Sequence, residues 1–384
     1  MARAFLIGGP RSIANSAFET TDALCHMTGS NVGNMAFKYG IQQVTGADTM
    51  LPWDASGADL TASGAVGVIC CANQLGPHTD LGGLVTNYSD AETRFVVLGL
   101  GAQWPISNKD IPPVPEGTRK WLSVIASQSV EGEPNIGVRG PFTLKVLDRI
   151  GLGLKSSVLG CPSLFINPNP DLGTVIENQT ARSIERIAVA AGDPVWGHLK
   201  RLENSLTRLA TATGGAYIIQ GSQEMVKLGR GEFDLLPFET QKACRDFTCP
   251  ELTLHEFRDW ARRHARVFFN IPAWIEYLRG FDFVIGARIH GIVLAMQAGV
   301  PGLCIAHDSR TKELCEVMKI PYVTADKVQQ GIERDDIAHL FEFSGKAFDL
   351  NRAMLAQRLD EFLAVNGVDP TPVLARIRRQ NQSL

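Results

Sequence analysis

The chain has 384 residues, 45% hydrophobic and 20% charged, and its 37 basic and 40 acidic residues give a formal net charge of −3. This length predicts two to three domains of ~150 residues each, and the composition excludes a collagenous repeat and a largely disordered chain. A nearly neutral chain has no overall field for a polyanion, so nucleic acid is not an expected partner.

Membrane segments and a disulfide framework are not expected either. The longest apolar runs have the length of strands and fall short of the ~18 residues that a spanning helix needs. The first ten residues are too short and too interrupted by glycine for a secretory leader. The eight cysteines form no C-x-x-C pair, and several lie in apolar runs. Reduced, buried thiols and a cytoplasmic location are therefore predicted.

Short apolar runs alternate with helical patterns, which predicts parallel strands joined by helical crossovers. In the first half the predicted strands are Ala4–Ile7, Gly67–Ala72, Phe95–Leu100, Asn135–Val138 and Ser157–Leu159, and the helices are Asn34–Thr45, Thr118–Gln128 and Gly140–Ile150. In the second half the predicted strands are Arg186–Ala190, Ala216–Gln220, Val267–Phe269, Phe283–Ile285, Gly302–Ile305 and Tyr322–Val323. The helices between them are predicted at Gly197–Ala212, Leu254–Arg263, Ala273–Arg279, His290–Ala298 and Arg310–Met318.

The segment Phe165–Gly173 is the expected linker, because its prolines, asparagines and glycine cannot continue a helix or a central strand. The predicted fold is therefore α/β, with two Rossmann-like doubly wound domains and a cleft between them. The boundaries are residues 1–170 and 171–345, followed by a helical tail at 346–384. In such sheets ligands bind beyond the carboxyl ends of strands, where loops enter helices.

An Arg-x-His pair lies where a predicted strand passes into a predicted helix. Arg288 and His290 follow the strand Phe283–Ile285. In an extended turn both side chains point to one side, beside the free N–H groups of the new helix. Arginine offers a fork for carboxylate or phosphate, and histidine donates a proton near neutral pH, so we predict a catalytic anion site here. The alternative is a surface ion pair beside a histidine bonded to a backbone carbonyl.

A second polar group follows the next strand, Gly302–Ile305, and is also predicted to bind substrate: His307, Asp308, Ser309, Arg310 and Lys312. Ser309 is a candidate N-cap for the following helix. Cations in a first helical turn oppose the helix dipole unless an anion compensates them, which favours a bound anion. Ion pairs with Glu313 or Glu316 are the alternative.

Loops of the first half add further substrate-binding candidates. Asn31 and Asn34 belong to a glycine-containing loop before a helix, with Asn34 as a possible N-cap. His78 lies in the loop after another strand, where it could contact a sugar hydroxyl. Arg139 follows the strand Asn135–Val138, and structural ion pairing is its alternative role.

These stretches resemble the polysaccharide pyruvyl transferase family. The resemblance rests on Asn31-Val-Gly-Asn34, Val138-Arg-Gly-Pro-Phe-Thr-Leu144, Gly160-Cys-Pro-Ser163 and Arg288-Ile-His-Gly291 with Gly299-Val-Pro301. It covers most of the chain in order. The chain departs from the family pattern at Asn34, where aspartate is usual, and at residues 73–76, where a glycine pair is usual.

The resemblance implies a glycosyltransferase-B-like enzyme with its acceptor side at 1–170 and its donor side at 171–345. Such enzymes transfer pyruvate from phosphoenolpyruvate to two hydroxyls of a sugar, which gives a pyruvate ketal and phosphate. His290 would be the acid, and the expected anion ligands are Arg139, Arg288, Arg310 and Lys312. The expected partners are phosphoenolpyruvate and a sugar, oligosaccharide or lipid-linked glycan; no cofactor or metal is expected, and a homo-oligomer stays open.

Two other classes of protein fit the same pattern. A glycosyltransferase with a nucleotide-sugar donor would share the fold, but the helix before Gly299 has Met296 and Gln297 and no acid to bind a ribose. A non-catalytic carbohydrate-binding or assembly protein would also share it. A pyruvyl transferase remains the favoured interpretation, because its reaction gives both residues of the Arg-x-His pair a role.

Overall fold

The computed structural model of the chain describes residues 4–106 and 110–379. Its first sheet consists of six parallel strands: β1 (Phe5–Ile7), β2 (Met50–Leu51), β3 (Val66–Cys70), β4 (Arg94–Leu100), β5 (Ile136–Val138) and β6 (Ser156–Val158). Their order is β2-β1-β3-β4-β5-β6. The strand order reverses at β1, because β2 lies on one side of β1 and β3 lies on the other. In folds of this kind such a switch point, here between the carboxyl ends of β1 and β3, forms a crevice where ligands bind.

The second sheet repeats this plan with β7 (Ile187–Ala190), β8 (Ala216–Ile219), β9 (Ala265–Val267), β10 (Phe283–Gly286), β11 (Gly302–Ala306) and β12 (Tyr322–Thr324). All neighbours are parallel, and the order is β12-β11-β10-β7-β8-β9. Here the crevice lies between β7 and β10, so each sheet has one switch point.

Helices form the crossovers. Those of the first half are α1 (Thr21–Thr28), α2 (Asn34–Thr45), α3 (Gly57–Ser63), α4 (Val85–Ser89), α5 (Glu116–Ser127) and α6 (Pro141–Arg149). The next are α7 (Leu172–Thr180), α8 (Lys200–Ala212), α9 (Gln223–Gly229), α10 (Phe238–Thr248), α11 (Leu254–His264) and α12 (Ile271–Leu278). The last are α13 (Ile289–Gln297), α14 (Ser309–Met318), α15 (Asp336–Leu340), α16 (Gly345–Val365) and α17 (Pro372–Arg378). None of the helices in the described ranges has the length and apolar character of a membrane span.

Successive residues of a strand in the first sheet pack into different hydrophobic cores, because their side chains point to opposite faces of the sheet. Phe5 and Ile7 join a core with Trp121, whereas Leu6 faces a larger core that continues into the second sheet. Both faces are buried, which explains why the strands read as continuous apolar runs. The shared core fixes the two sheets relative to each other.

The C-terminal helices pack back on the first half of the chain. The Thr371 N–H donates to the Val44 carbonyl at 2.8 Å, and Asn366 Nδ2 donates to the Pro134 carbonyl at 2.9 Å. Arg352 of α16 is completely buried and donates to the Leu164 carbonyl and to two carbonyls of the expected linker, those of Asn167 and Asn169. The tail at 346–384 is therefore, as far as residue 379, an integral part of the fold.

Two Rossmann-like α/β sheets confirm the predicted fold class, whereas the glycosyltransferase-B-like assignment stays a prediction. The observed strands differ from the predicted ones by one or two residues at their ends, and β2 was not predicted. β9 ends at Val267 rather than Phe269, because the Ile13 N–H binds the Phe269 carbonyl and Asn270 caps α12. β2 has only two residues, too few for an apolar run to reveal.

Candidate active site

A small enclosed cavity lies where the carboxyl ends of the two sheets face each other. The first half contributes Asn31, Asn34, Ala72 and Arg139, and the second half contributes Trp196, Gln220, Ala287, Arg288, Ile289, His290, Arg310 and Thr311. The residues come from loops that leave strands and enter helices, as the fold requires of a ligand site. We call this space the arginine cavity.

Three guanidinium groups line the arginine cavity. Arg139 follows β5, Arg288 precedes the first turn of α13, and Arg310 lies in the first turn of α14. Arg139 Nε and Nη2, Arg288 Nε and Arg310 Nε are buried without a hydrogen-bond acceptor. Buried donors are nearly always bonded, so these N–H groups indicate a missing anionic partner.

Arg288 is held in place by contacts within the second half. Its Nη2 lies 2.6 Å from Asp193 Oδ2, and its Cζ lies 4.5 Å from the centroid of the Trp196 ring. Asp193 follows β7, the neighbour of β10 in the sheet. The ion pair that the sequence analysis left as an alternative is thus present and buried, and it orients the guanidinium while leaving Nε free.

Arg139 has no such carboxylate partner among the described residues. It is 1% exposed, and its Cζ lies 5.7 Å from the centroid of the Phe37 ring. Gly101 gives its stem room, because a Cβ there would lie 2.9 Å from Arg139 Cδ. An unpaired buried cation is costly, so its retention is explained best by a ligand.

His290 occupies the first turn of α13 and is buried. Its Nε2 lies 3.8 Å from Cys161 Sγ, and its ring centroid lies 5.7 Å from that of Phe37. Burial, and then the charges of Arg139, Arg310 and Arg288, hold the pKa of His290 well below its ordinary value. The imidazole is therefore neutral near pH 7 in the unliganded protein, and an anion beside it would raise its pKa.

Two glycines allow the elements around the cavity to approach one another. A Cβ at Gly33 would lie 2.5 Å from Gln220 Oε1, and one at Gly291 would lie 2.7 Å from Ala190 Cβ. Both distances are too short for any side chain. Gly33 thus brings the start of α2 against the end of β8, and Gly291 brings α13 against β7.

Asn31, Asn34 and Gln220 supply amides to the cavity wall. Asn31 Oδ1 accepts from the Gly33 N–H at 3.0 Å, and Asn34 Nδ2 donates to the Thr28 carbonyl at 3.0 Å. Gln220 Nε2 is buried without a partner. The N-cap of α2 is Gly33 rather than Asn34, because Asn34 is already the first helical residue.

The start of α14 differs from the sequence analysis in one respect. Its cap is Asp308, whose Oδ1 accepts from the Thr311 N–H at 2.7 Å, so the expected Ser309 cap was wrong. Ser309 Oγ instead accepts from the Trp104 N–H at 3.1 Å. Asp308 also lies 3.2 Å from Arg310 Nη2 and compensates that cation at the helix N-terminus.

His307 packs beside the cavity instead of lining it. Its ring centroid lies 4.2 Å from that of Trp196, which itself covers Arg288. Burial lowers the pKa of His307 to about 4, although Asp308 acts in the opposite direction. His307 is therefore a neutral packing partner of the aromatic ring over Arg288.

Lys312 and His78 are not brought to the arginine cavity. Lys312 Nζ lies 3.8 Å from Glu316 and lines a groove on the other side of α14. His78 is exposed, with Nε2 at 2.8 Å from the Asn73 carbonyl oxygen. The alternative of an ion pair with Glu316 thus holds for Lys312, whereas Glu313 accepts two hydrogen bonds from Thr143.

A larger cleft of about 1050 Å³ adjoins the arginine cavity at the β1/β3 switch point. Asn34 and Ala72 line both spaces. Gly8 and Gly9 after β1, Trp53 and Lys38 also form its walls. The volume is at the upper end for small-molecule sites and exceeds what one small anion needs.

Several site residues escaped the sequence analysis. Asp193 and Gln220 lie at or just beyond strand ends that the apolar runs had located, so the carboxyl-end rule could have found them. Trp196 and Lys38 belong to no sequence motif that would have marked them as candidates. In the described part of the chain no three His, Cys, Asp or Glu side chains are grouped to hold a metal ion.

The fold and the site define an α/β protein with an arginine-lined cavity between two parallel sheets. A family model described as polysaccharide pyruvyl transferase matches residues 65–309, and no curated protein matches the chain. The match spans more than half of the chain and includes Arg139, Arg288 and His290. The chain therefore belongs to the polysaccharide pyruvyl transferase family, as its resemblance predicted, and this family consists of transferases that move pyruvyl groups to polysaccharides.

Proposed function

We propose that the protein transfers pyruvate from phosphoenolpyruvate to two hydroxyls of one sugar in a polysaccharide or glycan precursor, and that it releases phosphate. The observation that carries this proposal is the arginine cavity, where three arginines with unpartnered N–H donors surround a buried histidine. The eight buried free thiols fit a reducing compartment, so we place the reaction in the cytoplasm.

The charges of phosphoenolpyruvate match the arginine cavity, because the molecule carries a phosphate and a carboxylate on adjacent carbons. The cavity volume of about 20 Å³ holds little more than a water molecule, so the surrounding side chains must move apart when the donor binds. Planar guanidinium forks bind both anions with two parallel hydrogen bonds. Arg139, Arg288 and Arg310 approach from different strand ends, so each can bind a different face of the donor. The first turn of α13, which has no side-chain cap, adds backbone N–H groups.

His290 is the proposed acid. The negative charge of the donor offsets the three arginines that hold its pKa down, so binding promotes protonation of the imidazole. The imidazolium then protonates the vinyl CH₂ carbon, and positive charge develops at the carbon that bears the phosphate. The protonated fraction of His290 is thereby coupled to the presence of the donor.

Two sugar hydroxyls then add to that carbon in turn. The first forms a C–O bond and gives up its proton, which yields a tetrahedral intermediate that still carries phosphate. The C–O bond to phosphate breaks next, its electron pair leaves on the phosphate, and the second hydroxyl closes the ketal ring. Two protons leave the hydroxyls in total. One replaces the proton that entered the new methyl group, and the other ends on hydrogen phosphate.

The adjoining cleft is the proposed acceptor site. It reaches the arginine cavity at Asn34 and Ala72, and its volume accommodates more than one sugar unit. Trp53 in its wall offers an aromatic face of the kind on which sugar rings pack. The acceptor can therefore extend out of the cleft as an oligosaccharide or lipid-linked glycan.

The direct test combines the protein, phosphoenolpyruvate labelled with ¹³C at its phosphate-bearing carbon, and p-nitrophenyl α- and β-hexosides. We expect one phosphate released per labelled ketal carbon in the product, followed by NMR. Arg288→Lys should retain the charge but lose the fork and weaken donor use. Phosphate release with none of the hexosides, or label recovered only in free pyruvate, would contradict the proposal.

A further inference from the structure

Lys38 is a buried lysine with no role in donor binding or in protonation of the donor. It lies on α2 with 6% of its surface exposed. Its Nζ is 5.9 Å from the centroid of the Phe37 ring, and it forms no hydrogen bond or ion pair with the residues that the structure describes. Lysine side chains are rarely this buried without a partner, and the Lys38 amine itself is accessible from the cleft that the side chain lines, so a molecule in the cleft can contact it.

Lys38 lines the acceptor cleft, which shares Asn34 and Ala72 with the arginine cavity. A Cβ at Gly9 would lie 2.7 Å from Lys38 Nζ, so the amine rests against the backbone just after β1. Asn34, one helical turn earlier, lines both spaces. Phe37 contacts His290 on the cavity side, and Lys38 approaches the same ring from the cleft side.

The surroundings of Lys38 favour an uncharged amine. Burial lowers the pKa of Lys38, and only Cys70 of β3 acts in the other direction. That thiol is itself neutral, since burial raises the pKa of Cys70 to about 12. The other titratable groups of the cleft walls are Arg11 after β1, His26 of α1 and Asp54 after β2.

The carboxylates near the donor are already engaged. Asp193 is paired with Arg288, Asp308 caps α14 beside Arg310, and Glu313 accepts from Thr143. Lys38 lines the acceptor cleft, and none of these three carboxylates does. Lysines whose pKa is lowered by burial serve as general bases near neutral pH.

We propose that Lys38 accepts the proton of the sugar hydroxyl that attacks the donor. This inference rests on the proposed function. The hydroxyl oxygen forms a bond to the phosphate-bearing carbon while its O–H electron pair becomes that bond, and the proton moves to the lone pair of Nζ. His290 has meanwhile given its proton to the vinyl carbon. The ammonium returns its proton to solvent before the next turnover, and His290 takes one up.

The test compares Lys38→Met with Lys38→Arg, using the p-nitrophenyl hexoside that gives the most phosphate release. Lys38→Met keeps the length and apolar stem, and Lys38→Arg keeps a permanent charge, yet neither side chain can accept a proton. We expect both to lose ~10²–10⁴-fold in kcat. Calorimetric affinity for phosphoenolpyruvate should be unchanged in both, because Lys38 does not line the arginine cavity. The exposed Lys145→Met is the matched control and should behave as wild type.

The pH profile separates a base from a charged binding residue. With Lys38 as base and His290 as acid, wild-type kcat should rise with pH as Lys38 of the complex loses its proton and fall as His290 loses its own, and Lys38→Met should lack the rising limb. Full activity of Lys38→Arg would overturn the inference, since it would show that charge alone suffices. A lower melting temperature of Lys38→Met with lost donor affinity would also overturn it, in favour of a structural role. Absence of phosphate release by the wild type contradicts the proposed function itself, and the inference then falls with it.

Discussion

His290 and Arg288 are two residues apart, but the structure gives them different surroundings. Arg288 has a carboxylate partner at 2.6 Å, whereas His290 has a thiol at 3.8 Å and three cations around it. The arginine is therefore fixed and charged, and the histidine is poised to change its charge when an anion arrives. This difference supports the proposed roles, in which Arg288 binds the donor and His290 transfers the proton.

Replacement of His290 by glutamine tests that assignment. Glutamine has a similar size and can donate a hydrogen bond, but it delivers no proton. We expect kcat to fall ~10²–10⁴-fold while phosphoenolpyruvate still binds, because the three arginines remain. Single-turnover rates and calorimetry of donor binding distinguish the two effects. A loss of donor affinity as large as the loss of rate would make His290 a ligand and not the acid.

Arg310 and Lys312 form a natural pair for comparison in α14. Hydrogen bonds to charged groups contribute about 1.5–3 kcal/mol, so Arg310→Gln should weaken donor binding ~10–100-fold. Lys312→Gln should leave it unchanged, since Lys312 faces Glu316 in another groove. Calorimetric titration with phosphoenolpyruvate measures both. Equal losses in the two variants would place the donor elsewhere on the helix.

At the scale of helices and strands, the sequence predicted those site residues that directly follow the end of a strand. Apolar runs located β5, β10 and β11, and the residues after them, Arg139, Arg288 and Arg310, do line the cavity. Residues two apart on a helix do not share a face, which is why Lys312 could not join Arg310. The pairing of Asp193 with Arg288 required the order of strands in the sheet, and the place of Lys38 required the packing of α2. A pattern of apolar residues contains neither.

Helix α16 and the segment between the sheets depend on one buried cation. Arg352 donates to the Leu164 carbonyl at 3.0 Å, to the Asn169 carbonyl at 2.6 Å and to the Asn167 carbonyl. Unpaired buried acceptors cost about 1–3 kcal/mol each, so Arg352→Met should destabilise the protein by several kcal/mol. The exposed Arg358→Met on the same helix is the control. Denaturant unfolding that ranks the two variants equally would disprove this anchoring role.

For the whole molecule, donor binding should be linked to protonation. The pKa of His290 lies well below its ordinary value in the empty protein and rises when a negatively charged donor offsets the arginines. The protein therefore takes up protons on binding, and this contribution to affinity grows as pH falls from above the bound-state pKa towards the free-state pKa. Calorimetry at pH 7 in buffers of different ionisation enthalpy measures the uptake.

The donor's phosphate titrates in the same pH range, so the comparison must be made with a variant. His290→Gln removes the histidine and keeps the donor's own contribution. We expect wild type to take up more protons than His290→Gln on binding phosphoenolpyruvate. Identical proton uptake by both proteins would show that His290 does not change its charge.

The central claim is that the arginine cavity binds phosphoenolpyruvate, and calorimetric titration of wild type and Arg139→Met with this compound tests it most directly. We predict one binding site in the wild type and an affinity at least ~30-fold weaker in Arg139→Met, since losing one partner of a buried charge contact costs about 2 kcal/mol or more. Arg139→Met should melt no lower than wild type, because it removes an unpaired buried cation. No binding to the wild type, or equal binding to both proteins, would contradict the claim.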